Sequence, residues 1–149
     1  MSTEPGLVLE HSVEADVPRA FAWKFRTDIA NWNDPPAKFE LDGPFAEGSL
    51  GRTIFPDQEP VRWRVATVVP ERLFVIEVPL DLATLAFEWR FDSLPDDRTR
   101  MTQRIVLSGH NAGAYAHQIT SGFGPTLGAG MQNIASAMAS ARKLAEQAG

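Results

Sequence analysis

Cysteine is missing altogether, and with it go disulfides, thiolate nucleophiles and cysteine-based metal sites, an absence that fits a reducing compartment. Long apolar runs are missing too. None approaches the about 18 residues that a spanning helix needs, so no integral membrane segment is expected. Met1 to Gly6 carries neither a basic cluster nor an apolar stretch, and no signal peptide is expected there. Positive charge is also in short supply: 14 Lys and Arg face 19 Asp and Glu, a formal net charge of −5. That balance repels nucleic acid and anionic lipid, and only a local basic patch would argue for either. The chain therefore reads as soluble and cytoplasmic, with no nucleic-acid partner; its oligomeric state is left open.

Several catalytic signatures are absent as well. There is no H-E-x-x-H pattern, and His110 and His117 have no third or fourth ligand in the sequence around them, so no metal is expected. The glycines between Gly122 and Gly130 lack the Lys-Ser/Thr of a phosphate loop and do not follow a strand. No serine sits in a G-x-S-x-G elbow. No cofactor is expected.

What is present is a core-forming pattern. With 149 residues, 44% of them hydrophobic, the chain is expected to be one domain spanning 1–149. Its last quarter, Pro125 to Gln147, places Leu127, Met131, Ile134, Met138 and Ala141 on one face at helical spacing. Gly128 and Gly130 interrupt that helix at a cost of about 1 kcal/mol each relative to alanine, which points to something approaching its backbone closely. Before it, Tyr115, Ile119 and Phe123 keep helical spacing, and Gly122, Gly124 and Pro125 predict a turn or two of helix and then a kink.

The earlier chain alternates with period two. Leu9, His11 and Val13 share one face of a first strand. Asp16 then offers a helix-capping acceptor, Pro18 suits a first helical turn, and Asp28 caps a second short helix that Pro35 and Pro36 would stop. From Phe39 onward charges mark the wet side of each strand: Glu40, Arg52, Arg62, Arg64, Glu77, Glu88, Arg90, Arg100 and Arg104. Trp63, Trp89 and Gln103 then point inward. Turn signals at Asp42-Gly43-Pro44, Pro56-Asp57, Pro70-Glu71 and Pro95-Asp96-Asp97 make this an antiparallel meander with one dry face. The long helix is the available cover for that face. The fold class is α+β, a curved antiparallel sheet wrapped around a long C-terminal helix, with two short helices near the N-terminus. The arginines share their face with glutamates, so a solvated, cross-paired surface is preferred to a basic patch.

Several of these stretches resemble the START-like SRPBCC superfamily, and within it the bacterial polyketide cyclase/dehydrase group. They are the run from Glu10 through Asp28-Ile29-Ala30-Asn31-Trp32, the turn Glu47-Gly48-Ser49-Leu50-Gly51-Arg52, Arg62-Trp63-Arg64-Val65, Pro70-Glu71-Arg72-Leu73, and Arg98-Thr99-Arg100-Met101-Thr102-Gln103 to Ser108-Gly109. The resemblance implies a helix-grip fold with a deep hydrophobic cavity between sheet and helix. Members bind lipids, sterols, polyketides or other apolar compounds, and only some transform them. There is no shared catalytic motif to carry over.

On that basis the cavity walls are expected from Phe55, Trp63, Phe74, Ile76, Phe87, Trp89 and Met101, with Leu127, Met131 and Ile134 from the helix. Burial of such side chains is worth roughly 1.5–3 kcal/mol each whether they meet a ligand or one another. His11, Thr53 and Gln103 are the polar residues on the dry face, each able to orient a ligand or to bond its neighbours instead. The leading function is binding of a small hydrophobic or amphipathic molecule such as a lipid, polyketide or aromatic compound. The alternatives are a cyclase- or dehydratase-type enzyme acting on a polyketide-like substrate, with His11 or Gln103 assisting, and a protein-interaction module.

Overall fold

A computed structural model describes residues 6–32 and 37–148. The first strand, β1 (Leu7–Ala15), leads through Pro18 into α1 (Arg19–Arg26) and a single 3-10 turn at Ile29–Asn31. Six strands follow: β2 (Lys38–Asp42), β3 (Leu50–Ile54), β4 (Val61–Val69), β5 (Leu73–Leu80), β6 (Ala83–Leu94) and β7 (Arg98–Ser108). Two helices, α2 (Ala112–Phe123) and α3 (Leu127–Ala148), complete the chain. All strand pairs are antiparallel in one seven-stranded sheet of order β1-β7-β6-β5-β4-β3-β2. The meander thus runs from β2 to β7 by nearest neighbours, and β1 closes against its last strand.

Strand parity follows the charges. On the outer face Arg64 pairs with Glu77 across β4 and β5, Arg104 reaches both Glu10 and Glu88, and Arg52 holds Glu40 at 2.6 Å. Glu77 is therefore an outer-face partner, not a cavity carboxylate. The inner face carries continuous ranks of side chains, because paired residues in adjacent strands point the same way. One rank runs His11, Gln103, Trp89, Phe74, Val68, and the next runs Leu9, Ile105, Phe87, Ile76, Val65. A bulge between Val65 and Thr67 restores this parity on β4.

The long helix lies on that inner face and runs over β1, with Met131, Ala135 and Met138 buried. Arg142 of α3 donates to the Asp16 carbonyl at 3.2 Å, tying the helix to the β1–α1 link. Three expectations need correction or trimming. Asp16 does not cap α1: Pro18 takes that position in an extended conformation and no side chain caps the helix. The segment before the kink forms a full 12-residue helix, Ala112–Phe123, that carries Gly113 and Gly122 within it. Asp28 does cap the 3-10 turn, through Ala30 N–H at 3.0 Å, while Pro35 and Pro36 lie outside the described residues.

Candidate functional site

Between the inner face and α3 lies a cavity of about 460 Å³, within the range of small-molecule pockets. Its walls are built strand by strand. Phe74 and Ile76 from β5, and Phe87 and Trp89 from β6, line one side; Trp63 and Thr53 line the next, with Phe55 just beyond β3. Leu127, Met131 and Ile134 supply the helix wall, and Gln103 of β7 joins the sheet wall.

Trp63 owes its position to two neighbours. Its indole covers Gly51, where an added methyl would lie 2.3 Å from the ring, so the glycine makes the space the ring occupies. Its Nε1–H donates to Thr53 Oγ1 at 3.0 Å. Thr53 thereby helps hold the indole, and its hydroxyl, which accepts that bond, keeps its own O–H donor on the cavity wall.

The aromatic lining continues across the end of the sheet through the α1 region. Asn31 and Trp32 donate to the Phe25 and Arg26 carbonyls at 3.0 and 2.7 Å, satisfying exposed acceptors at the end of α1. That anchoring sets Trp32 5.5 Å from Trp63, and Arg26 with its guanidinium carbon 4.3 Å from the Trp89 ring centroid and 5.1 Å from Trp32. At the other end, Phe123 from the close of α2 meets Phe87 edge-on at 5.4 Å.

Two expected site residues do not line the cavity. Met101 is fully buried one rank away, paired with Val13 and Phe91, so it is core. His11 faces inward on β1, but β1 is an edge strand and α3 runs over it. The imidazole fills the space left by Gly128, where a methyl would lie 3.1 Å from Cε1 and Nε2, and its outer side stays exposed. The close approach expected at Gly128 is thus a histidine ring, while Gly130 borders the cavity itself.

The geometry has counterparts among solved structures. No family model and no curated protein matches the chain. A norcoclaurine synthase point mutant from Thalictrum flavum, in complex with a transition-state analogue, matches with a TM-score of 0.69 over 96% of this chain and 99% of that one, at 16% identity. Zhui aromatase/cyclase from Streptomyces sp. R1128 matches at 0.54 over 70% of this chain and 68% of that one, at 21% identity. Ara h 8.0201 matches at 0.63 over 90% and 95%, at 11% identity. The chain has the helix-grip fold.

Within this cavity the polar inventory is short. Arg26 contributes a permanent positive charge. Gln103 presents a side-chain amide with no hydrogen bond to any described residue, and Thr126 sits at the start of α3. No Asp, Glu, His, Lys or Tyr is among the described residues of the lining. His110 and His117 are exposed near and on α2, away from it.

Lining residues that sequence reasoning did not name include Arg26, Trp32, Phe39 and Phe123. Phe39 opposes Glu40 and Phe123 follows Tyr115 and Ile119, so both carried a parity signal. Arg26 carried none: a cation in the last turn of a helix is the ordinary partner of the helix dipole. Its inward placement shows only in the long-range stacking on Trp89 and Trp32.

Proposed function

We propose that this protein, acting as a single START-like domain, binds a small hydrophobic or aromatic molecule in the cavity and carries, senses or stores it unchanged. What supports this is the composition of the walls. A cavity of about 460 Å³ is lined by aromatic and aliphatic side chains, and among its described residues none titrates near neutrality. Proton transfer by a positioned side chain typically contributes 10²–10⁴-fold to an enzyme. Among the described lining residues no Asp, Glu, His, Lys or Tyr is placed to do this for a cyclase or dehydratase, and His11 faces Gly128.

Organic extraction of the purified protein followed by mass spectrometry would identify a retained compound. Titration with apolar and aromatic compounds, followed by tryptophan fluorescence, then measures affinity, because Trp32, Trp63 and Trp89 all line the cavity. Trp63→Ala and Met131→Ala are expected to weaken retention of any tight ligand, since they remove wall area shared by every pose. If no apolar compound binds better than about millimolar, a gain of only ~4 kcal/mol, the binding reading is wrong.

A further inference from the structure

Resting on that reading, we infer that the ligand is a long, narrow molecule that enters from the β5–β6 end of the sheet, led by an uncharged hydroxyl or carbonyl group that docks on Gln103. The length comes from β5. Its four inward residues, Phe74, Ile76, Val78 and Leu80, all line the cavity, and six residue steps along a strand cover about 20 Å. A volume of about 460 Å³ spread over that length leaves a passage about as wide as one aromatic ring seen edge-on.

One end of the passage is shut. Beyond the rank of Gln103, Trp89 and Phe74 comes that of Val13, Met101 and Phe91, in which Met101 is 0% and Phe91 1% exposed. Trp23 of α1 closes edge-on upon Phe74 and Phe91, at 5.9 and 5.4 Å. Towards the other end the β5 side chains open progressively: Phe74 is 1% exposed, Ile76 7% and Val78 9%, and Leu80 is half-buried near the exposed Leu82. A ligand therefore arrives at the Leu80 end and stops at Gln103.

The amide and the hydroxyl of the sheet wall stand at opposite ends of this passage. Gln103 is at the floor, and its amide, which has no hydrogen bond to any described residue, offers both a donor and an acceptor to what enters. Thr53 is near the mouth, because it pairs with Val61 and the β4–β5 register carries Val61 to Leu80. A hydroxyl or carbonyl left at the mouth keeps only the water it already had. One carried to the floor meets the amide in a low-dielectric site, where a hydrogen bond is stronger, and the apolar body fills the length behind it.

The test titrates the 1-alkanols from 1-hexanol to 1-tetradecanol, read as displacement of the fluorescent probe N-phenyl-1-naphthylamine. Affinity is expected to rise about fourfold for each added methylene, the worth of burying one, and to keep rising as far as 1-dodecanol. Val78→Phe, which sets a ring across the passage about 13 Å from the floor, should leave 1-hexanol within about twofold and end the rise near 1-octanol. Gln103→Leu should weaken every alcohol about fivefold or more while leaving n-octane, which has no group to dock, within about twofold. Three results overturn the inference and, while the probe binds, leave the binding reading standing: a rise that already ends at 1-octanol in the unaltered protein, a Val78→Phe series that climbs as far as the unaltered one, or alcohols indifferent to Gln103→Leu. Failure of the probe and of every alcohol to bind overturns both. If a variant does not fold, the chain length at which the unaltered protein stops gaining affinity decides the matter.

Discussion

Gly51 and Thr53 act together on a single side chain, Trp63, and show what one atom is worth in this cavity. A methyl at Gly51 would sit 2.3 Å from the Trp63 ring carbon Cη2, far inside contact distance. Because the indole is buried and bonded to Thr53, it has no free direction in which to yield. Gly51→Ala is therefore expected to destabilise the protein by about 1–3 kcal/mol, the usual range for overpacking a core. Urea unfolding would give the loss, and a red shift of tryptophan emission would show the indole pushed towards water. An unchanged midpoint would mean that the ring is not seated on β3 as described. Thr53 was legible as an inward polar residue from parity alone. That its hydroxyl oxygen accepts from an indole was not, since the partner is ten positions away on another strand and nothing local marks it.

Alternation of charged and apolar residues made the strands readable, because a period of two has only one face to hide. The same logic put eight residues of the sheet side on the face that borders the cavity, and put Met101 there too although it lies in the packed core: a packed core and a hollow one have the same alternation. Turns were less uniformly marked. Pro95-Asp96-Asp97 is an evident tip, and both aspartates adopt left-handed backbone there, at φ of 63° and 55°. The β5–β6 connection has no such punctuation. Its loop is Asp81-Leu82, and Leu82 takes φ of 56° with 65% of its surface exposed. The turn is held by its neighbours: Asn111 N–H donates to the Leu82 carbonyl at 2.8 Å, and the Asn111 amide to the Asp81 carbonyl at 3.3 Å. A leucine in this conformation carries strain that asparagine tolerates better, and its exposed side chain contributes little burial to lose. Leu82→Asn should stabilise the fold by about 1 kcal/mol. A melting temperature at or below that of the unaltered protein would show that the leucine packs against something in solution.

At the scale of the whole molecule, the inner face is nearly free of charge and the outer face is laced with it, so the response to pH should come from outside. Glu40 is the carboxylate to watch. A side-chain hydrogen bond from Lys38 comes first, then one from Arg52, and together they hold its carboxyl below the ordinary value of 4.5. Lys38 lies 3.3 Å away and Arg52 2.6 Å. Arg90, raised above its ordinary value by Glu88, stays charged throughout and adds no pH dependence near neutrality. For Glu40 the folded pKa is the lower one, so its contribution is fully present above 4.5 and is lost as pH falls through the folded value. Exposure on the β2 edge keeps that contribution modest and open to screening by salt. Glu40→Gln should accordingly lower the urea midpoint at neutral pH and make its decline between about pH 5 and about pH 3 shallower than in the unaltered protein. The difference should shrink when salt is raised from about 0.1 M to about 1 M, where the Debye length falls below the span of the cluster. Identical slopes at low salt would mean that Glu40 is not ion-paired in solution as its contacts with Lys38 and Arg52 describe.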